Sequence, residues 1–341
     1  MRATPRRSPT KPGWSAPTII SRPASNSWPR YWRPTGSRSP SPIAQAATTC
    51  ATHCVIDPDP IFEGVPLTTS AAFLDEHHLR VGNVDFYCHF IWGGEVATPE
   101  GFLPVAKDRE QIDRYLRLGE GLHPQVIVEL GVQRGGSTAL LHALYQPRRL
   151  VAIELEREPP PALSGYIARL GLEEVVKPHY GVDQADRDAV ASIMAAELGG
   201  EPIDLVIDDA SHLLEPSRVS FETLFPLVRP GGLYVIEDWN ADHIVADGFA
   251  AIAADADQPG HADLVAALRR AHAAEPVPHV RLIRLALELV LARASSRDVI
   301  REVTVMNNWV VVRRGDEPID PASFRLADLV TDHFQNLRPL A

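Results

Sequence analysis

The chain has 341 residues, 45% of them hydrophobic, with 44 acidic side chains against 33 Lys and Arg and a formal net charge of -11. That length and apolar content suit a globular protein with a sizeable core, and the lack of any run of 18 apolar residues argues against a transmembrane helix. Three cysteines, Cys50, Cys54 and Cys88, are too few for a disulfide framework and fit a reducing, cytoplasmic setting.

The charge is unevenly spread. Residues 1–56 hold seven Arg and one Lys with no acid, about +8, which leaves about -19 on the remainder. With nine prolines up to Pro42 and many serines, this stretch has too little apolar surface to offset its ordering entropy and reads as a disordered, dispensable extension. Its prolines oppose the amphipathic helix of a transit peptide, and it lacks the apolar centre of a secretory signal. A basic arm for a polyanion is the alternative. The Cys50-Ala51-Thr52-His53-Cys54 cluster adjoins this tail and is not taken as a metal site.

Residues 57–121 read as a cap. It comprises a helix at 71–79 carrying His77 and His78, an aromatic run at 86–92, and a helix at 108–118 in which Ile112, Tyr115 and Leu116 recur at helical spacing. His89 lacks partners at ligand spacing. Strands then alternate with helices: strands at 126–130, 150–155, 175–178, 203–207 and 232–236, helices at 137–144, 161–170, 187–198 and 217–227. After an insertion at about 241–296, with helix candidates at 263–272 and 282–294, strands at 299–305 and 309–313 flank Asn307-Asn308. Asn tolerates positive φ, so a two-residue primed turn is expected there. The pattern predicts an α/β fold spanning about 122–315, with a mostly parallel seven-stranded sheet, a terminal antiparallel hairpin and flanking helices. Residues 316–341 form a tail.

Three polar clusters fall at strand ends, and in open α/β sheets ligands bind where the chain leaves the carboxyl ends of the strands. Gly131 and the Gly135-Gly136 pair separate a strand from a helix, where backbone can approach a ligand and the helix N-terminus offers unpaired N–H groups. The spacing is not G-x-G-x-x-G, and a plain tight turn is an alternative. Glu154 lies 23 residues beyond Gly131 at the end of the second strand, placed to accept both hydroxyls of a ribose, or else simply solvated. NAD shares that ribose; the missing third glycine and the downstream acid pairs disfavour it. Asp183 follows the third strand, where a helix N-cap is the competing role.

The acid pairs carry more weight. Asp209 and Glu237-Asp238 offer carboxylate oxygens from neighbouring strand ends, and three crowded acids repel unless a cation neutralises them. Hard oxygen donors suit Mg²⁺, and no thiol or paired-His arrangement favours zinc. The acids have a structural alternative, as turn caps and a polar strand exit. His212, three residues after Asp209, is near neutral in intrinsic pKa and suits a general base.

Asp208-Asp209-Ala210-Ser211-His212, Ser220-Phe221-Glu222-Thr223-Leu224-Phe225-Pro226 and Pro230-Gly231-Gly232-Leu233-Tyr234-Val235-Ile236-Glu237-Asp238 resemble class I S-adenosylmethionine-dependent methyltransferases. More closely they are similar to the metal-dependent macrolide-sugar O-methyltransferases of antibiotic biosynthesis, and cephalosporin-hydroxylase-like relatives share the pattern. The resemblance covers roughly 126–238 and, more loosely, the terminal hairpin. It implies a Rossmann-like sheet binding S-adenosylmethionine, with Glu129, Gly131, Gly135 and Ser137 along the glycine loop, Glu154 on the ribose, Asp183 near the adenine and Asp208 in support. It further implies Mg²⁺ on Asp209, Glu237 and Asp238, with His212 and Asp209 as the catalytic pair. The acceptor would be a small hydroxylated sugar or polyketide-type metabolite, in a pocket shaped by Trp239 and Asn240. No membrane or nucleic-acid partner is implied. The 241–296 insertion suits a lid or a homo-oligomer contact. A hydroxylase-like enzyme with the same metal shell, or a nonenzymatic cofactor-binding protein, remain the alternative readings.

Overall fold

The computed structural model describes residues 71–89, 97–241, 282–296 and 298–330. The chain divides into two units, Met1–Cys54 and Val55–Ala341, and all described residues belong to the second. The basic extension, the Cys50–Cys54 cluster, the helix expected at 263–272 and residues 331–341 lie outside the described residues. Among the described residues no helix is long and apolar enough to cross a membrane.

A small sheet comes first: β1 (Ala71–Phe73), β2 (His78–Val81), β3 (Val84–Cys88) and β4 (Leu103–Val105), in that order, with β4 parallel to β3 and the other neighbours antiparallel. The helix expected at 71–79 is not formed. The Asp75 carboxylate accepts the amides of His77 and His78 at 2.9 and 2.8 Å, a local bond that competes with helix. Pairing of β2 with β3 then buries Leu79, Val81, Val84, Phe86 and Cys88 on one face at period two. His78 therefore sits in a strand, bonded to Asp85.

The main sheet follows from the alternation of helix and strand. Helix α1 (Arg109–Leu122) leads into β5 (Val126–Leu130), α2 (Gly136–Tyr145), β6 (Arg149–Glu154), α3 (Pro161–Leu170) and β7 (Val176–Tyr180). Then come α4 (Arg187–Leu198), β8 (Ile203–Asp208), α5 (Leu214–Leu224), β9 (Val228–Glu237), α6 (Ile283–Ser295), β10 (Ile300–Val305), β11 (Trp309–Arg314) and the short α7 (Leu326–Leu329). Strand order is β10-β11-β9-β8-β5-β6-β7; the first five of these strands in the chain are parallel, and β11 runs antiparallel to both β9 and β10. The sequence expectation of parallel strands closed by an antiparallel hairpin holds. The primed turn does not: neither Asn307 nor Asn308 has a positive φ. Tertiary bonds decide that turn, because Asn308 is buried and held by Arg114 and Asp238, while the Met306 carbonyl accepts the Trp239 indole at 3.0 Å.

Alternation along each strand sorts side chains onto two faces. Ile127, Leu205, Ile207, Val235 and Trp309 pack with α1, α2, α3 and the small sheet. Val126, Val128, Leu130, Val206, Tyr234 and Ile236 pack with α4, α5 and α6. A sheet covered on both faces explains the nearly continuous apolar character of the parallel strands.

The small sheet is docked closely against α2. A Cβ on Gly136 would lie 1.6 Å from the Pro104 carbonyl oxygen of β4, so only glycine lets these elements meet. Gly136→Ala should lower stability by about 1–3 kcal/mol in urea unfolding through overpacking. Gly165→Ala, exposed in α3 with nothing within 4 Å of the added Cβ, should raise stability by about 0.5–1 kcal/mol. Equal effects would refute the docking geometry.

Candidate functional site

The chain reverses its winding at β5, which lies between β6 and β8, and the loops leaving these strands open a crevice at their carboxyl ends. A cavity of about 770 Å³ occupies it, lined among others by Gly131, Gln133, Ser137, Glu154, Asp183, Asp209, His212 and Asp238. Its size suits a small-molecule site. Among the described residues five non-glycine residues have positive φ, and three of them, Gln133, His212 and Asp238, line this one cavity. Such backbone is costly for L-residues and clusters at working sites.

The glycine loop is built for close protein packing as well as for ligand access. A Cβ on Gly131, whose φ is 90°, would lie 2.3 Å from the Asp209 carbonyl oxygen, so glycine lets the β5 and β8 exits touch. Gly135 turns the chain into α2, faces Leu163 and does not line the cavity. No side chain caps α2 at that position, so its first N–H groups are available to an anionic group. Glu154, at the end of β6, fastens the loop: its carboxylate accepts the amides of Val132 at 2.8 Å and Gln133 at 2.6 Å, and of Glu156 at 2.9 Å. It still lines the cavity.

Asp183 is exposed, lines the cavity and accepts the amide of Ala185 at 2.8 Å. The N-cap of α4 is Asp186, which accepts the amide of Ala189. Gln184, beside it, is buried and ties Asp208, Ser220 and the amide of Ser211 together. Sequence reasoning passed over Gln184, since a glutamine after a strand carries no distinguishing signal.

Strand alternation separates the paired acids. Asp208 faces the side of α4 and α5, buried, accepting bonds from Tyr234 and Gln184, and it does not line the cavity. Burial pushes its carboxyl up to about 6 despite those donors. Glu129, on the opposite face, is fully buried, accepts the Thr138 hydroxyl and has its Oε1 without a protein donor. Burial raises it to about 7, opposed by the hydroxyls of Ser137 and Thr138.

Asp209, His212 and Asp238 come together: one ligand atom from each lies within 4.8 Å of the others. The His212 Nε2 is 3.8 Å from Asp209 Oδ1. Asp238 Oδ1 accepts the Asn308 amide at 3.2 Å, so the hairpin turn steadies it. Glu237 does not join the cluster as the spacing suggested. It is fully buried, one oxygen accepting from Lys107 Nζ at 2.6 Å and the other from the Tyr115 hydroxyl. Lys107 also donates to Asp209 Oδ2 at 2.8 Å. Burial works against the ammonium, but the flanking carboxylates push Lys107 well above its ordinary range. Lys107 and Asn308 are distant in sequence from the acids they hold, and nothing in their local pattern marks them. Trp239 is engaged with the hairpin rather than the cavity, and neither it nor Asn240 lines it.

Residues 128–239 match the family model of a methyltransferase domain. Over that segment the chain is similar to methyltransferase domains. The five parallel strands, the glycine loop and the acid cluster fall within or beside the matched segment. Demethylmacrocin O-methyltransferase of Streptomyces fradiae is 57% identical over 60 residues, 17% of this chain and 14% of that protein. The 8-demethyl-8-(2-methoxy-alpha-L-rhamnosyl)-tetracenomycin-C 3'-O-methyltransferase of Streptomyces olivaceus is 32% identical over 126 residues, 35% of this chain and 29% of that protein. The solved MycE methyltransferase from the mycinamycin biosynthetic pathway, in complex with Mg, SAH and mycinamycin VI, is 23% identical with a TM-score of 0.40, covering 60% of this chain and 49% of that one. The alignments thus span less than a third of these curated relatives.

Folded Glu129 keeps its proton to about pH 7, whereas an unfolded glutamate releases it near 4.5, so stability falls as pH rises through that window and levels above it. Glu129→Gln should lessen the fall seen in urea midpoints across this window by about 3 kcal/mol, leaving the part that Asp208 contributes between 3.8 and about 6. A slope unchanged by the substitution would show that Glu129 is not the group that titrates.

Proposed function

We propose that this protein is an S-adenosylmethionine-dependent O-methyltransferase that acts, with a divalent cation, on a hydroxyl of a sugar or polyketide-type metabolite. The observation that carries the reading is the meeting of Asp209, His212 and Asp238 at the wall of the cavity that the glycine loop also lines. The relatives' names supply the reaction class and the sugar-bearing acceptors.

The residues fit both groups. The α2 N-terminus, uncapped by any side chain, and the Glu129 Oε1, without a donor, suit the carboxylate and ammonium of an amino acid. Glu154 and Asp183, at the ends of β6 and β7, suit the ribose and the adenine. Two carboxylates on neighbouring strand ends form a hard oxygen donor set appropriate to Mg²⁺. When bound, the cofactor supplies an electrophilic methyl group and the cation supplies Lewis acidity.

The chain's own work is orientation and proton removal. Asp209 and Asp238 mark where the acceptor oxygen is held, and the cavity walls fix its approach. His212 Nε2, beside Asp209 and on the cavity wall, takes the hydroxyl proton as the general base. The left-handed backbone at His212 and Asp238 aims both side chains at one point, at a local cost of about 1–3 kcal/mol each.

Calorimetric titration with S-adenosylmethionine, with and without Mg²⁺, tests the division of labour. Glu154→Ala should weaken cofactor binding by about tenfold or more, since it loosens the loop and removes a ribose acceptor. Asp209→Asn should spare cofactor binding and abolish metal-dependent transfer. His212→Gln should cut methyl transfer to a glycosylated acceptor by about a hundredfold or more while retaining Mn²⁺ binding. Full activity in His212→Gln would remove the base, and loss of Mn²⁺ in that variant would make His212 a ligand instead.

A further inference from the structure

The cavity has walls of unlike chemistry. Its acids, Glu154, Glu156, Asp183, Asp209 and Asp238, all end or follow strands of the main sheet. The small sheet, with the residue after β3, contributes Tyr87, His89, Pro104 and Val105, and no carboxylate. Tyr87 and His89 stand two residues apart on extended backbone, so their half-buried side chains leave the face opposite buried Phe86 and Cys88. The His89 amide donates to the Val105 carbonyl at 2.9 Å, carrying the strand pairing one residue past β3.

These rings are held in order before any ligand arrives. Tyr87 and His89 stack with centroids 6.0 Å apart at 25°, and His77 stacks on His89 at 4.7 Å and 28°. His77 is fixed in turn, its Nδ1 donating to the Cys88 carbonyl at 3.1 Å, and Phe102 meets Tyr87 edge-on at 6.3 Å. Nδ1 of His89 is buried with no protein partner among the described residues. Orphaned buried N–H groups are rarer than under-used acceptors, so the ring proton belongs on Nε2, the nitrogen left to donate to a ligand. Burial and the neighbouring His77 hold this imidazole below the usual histidine range, which keeps it neutral near pH 7.

We propose that Tyr87 and His89 form the subsite for the unreacting part of the acceptor, and that this part is a flat conjugated ring. The substrate class is then an aryl glycoside, with its sugar hydroxyl at Asp209 and His212 and its aromatic aglycone on the small sheet. The inference rests on the transferase reading given above. Ordered π-faces favour offset stacking with another flat ring, and the His89 donor suits a phenol or carbonyl oxygen at its edge. A second sugar would need carboxylate or amide partners for its hydroxyls, and the small sheet offers the cavity neither. The wall is rigidly placed, because β4, paired with β3 at Tyr87, is seated on Gly136 at the start of α2.

Ligand-observed nuclear magnetic resonance titration of the full chain loaded with S-adenosylhomocysteine reads this subsite without turnover. The probes are 1-naphthyl and methyl α-L-rhamnopyranoside, the sugar being the one in a relative's name. The naphthyl glycoside should bind the unsubstituted chain about tenfold or more tightly than the methyl glycoside. Tyr87→Leu and His89→Leu should each weaken the naphthyl glycoside by about three- to tenfold, with the methyl glycoside and S-adenosylhomocysteine changed by less than about twofold. Tyr87→Phe, which restores the ring, should recover most of that loss. If a leucine variant does not fold, nuclear Overhauser contacts from the naphthyl protons to the Tyr87 and His89 rings of the unsubstituted chain decide the matter.

Equal affinity for the two glycosides, binding of neither, absent Overhauser contacts, or leucine variants without effect would each overturn the aryl subsite. Leucine variants that weaken S-adenosylhomocysteine instead would give this wall to the cofactor and overturn it too. The transferase reading survives all of these as long as methyl passes from labelled S-adenosylmethionine to some glycosylated acceptor. A chain that neither binds S-adenosylhomocysteine nor transfers methyl would bring down that reading itself.

Discussion

Negative charge gathered at the carboxyl ends of β8 and β9 is the constraint around which the rest of the molecule is arranged. Carboxylates brought this close, and partly out of water, are tolerable only if positive charge or hydrogen-bond donors meet them. Lys107 and Tyr115 do so for Glu237, Lys107 for one oxygen of Asp209, and Asn308 for one oxygen of Asp238. These partners come from three different places: the segment after the small sheet, the helix α1 that follows it, and the turn of the terminal hairpin. The small sheet and the hairpin are thus tied to the acid cluster by electrostatics as well as by packing.

The same cluster gives physical meaning to the strained backbone. His212 and Asp238 adopt left-handed conformations that neither side chain prefers, and Gly131 is held against the Asp209 carbonyl with no room for a Cβ. These features hold the β5, β8 and β9 exits in mutual contact. Glu154 performs the corresponding task on the other side of the crevice, fastening the glycine loop to the end of β6 through two consecutive loop amides. A cavity with the acid cluster on one wall and the glycine loop on the other results.

Two adjacent acids illustrate how strand geometry divides chemistry. Asp208 and Asp209 are neighbours in sequence, yet alternation sends the first into the layer of α4 and α5 and the second to the cavity. Glu237 and Asp238 divide similarly: the last residue of β9 remains within the packed sheet, and the next, freed by its left-handed turn, reaches the wall. In each pair one carboxylate is structural and one is available.

Much of this was legible from the chain. Apolar β-branched runs alternating with helical periodicity determined the parallel sheet, because a strand covered on both faces must be apolar throughout. Strand-terminal Gly131, Glu154, Asp209 and Asp238 were recognisable for the same reason, since residues at the carboxyl ends of such strands border the crevice. Residues 71–79 form strands rather than the expected helix because Asp75 and cross-strand burial outweigh local propensity, and the Asn307-Asn308 turn takes a conformation set by Arg114, Asp238 and Trp239. Only the tertiary structure decided which acid of each pair faces the cavity and that Lys107 neutralises Glu237. The lysine's role depends on contacts between residues more than a hundred positions apart, and a local pattern carries no record of such contacts.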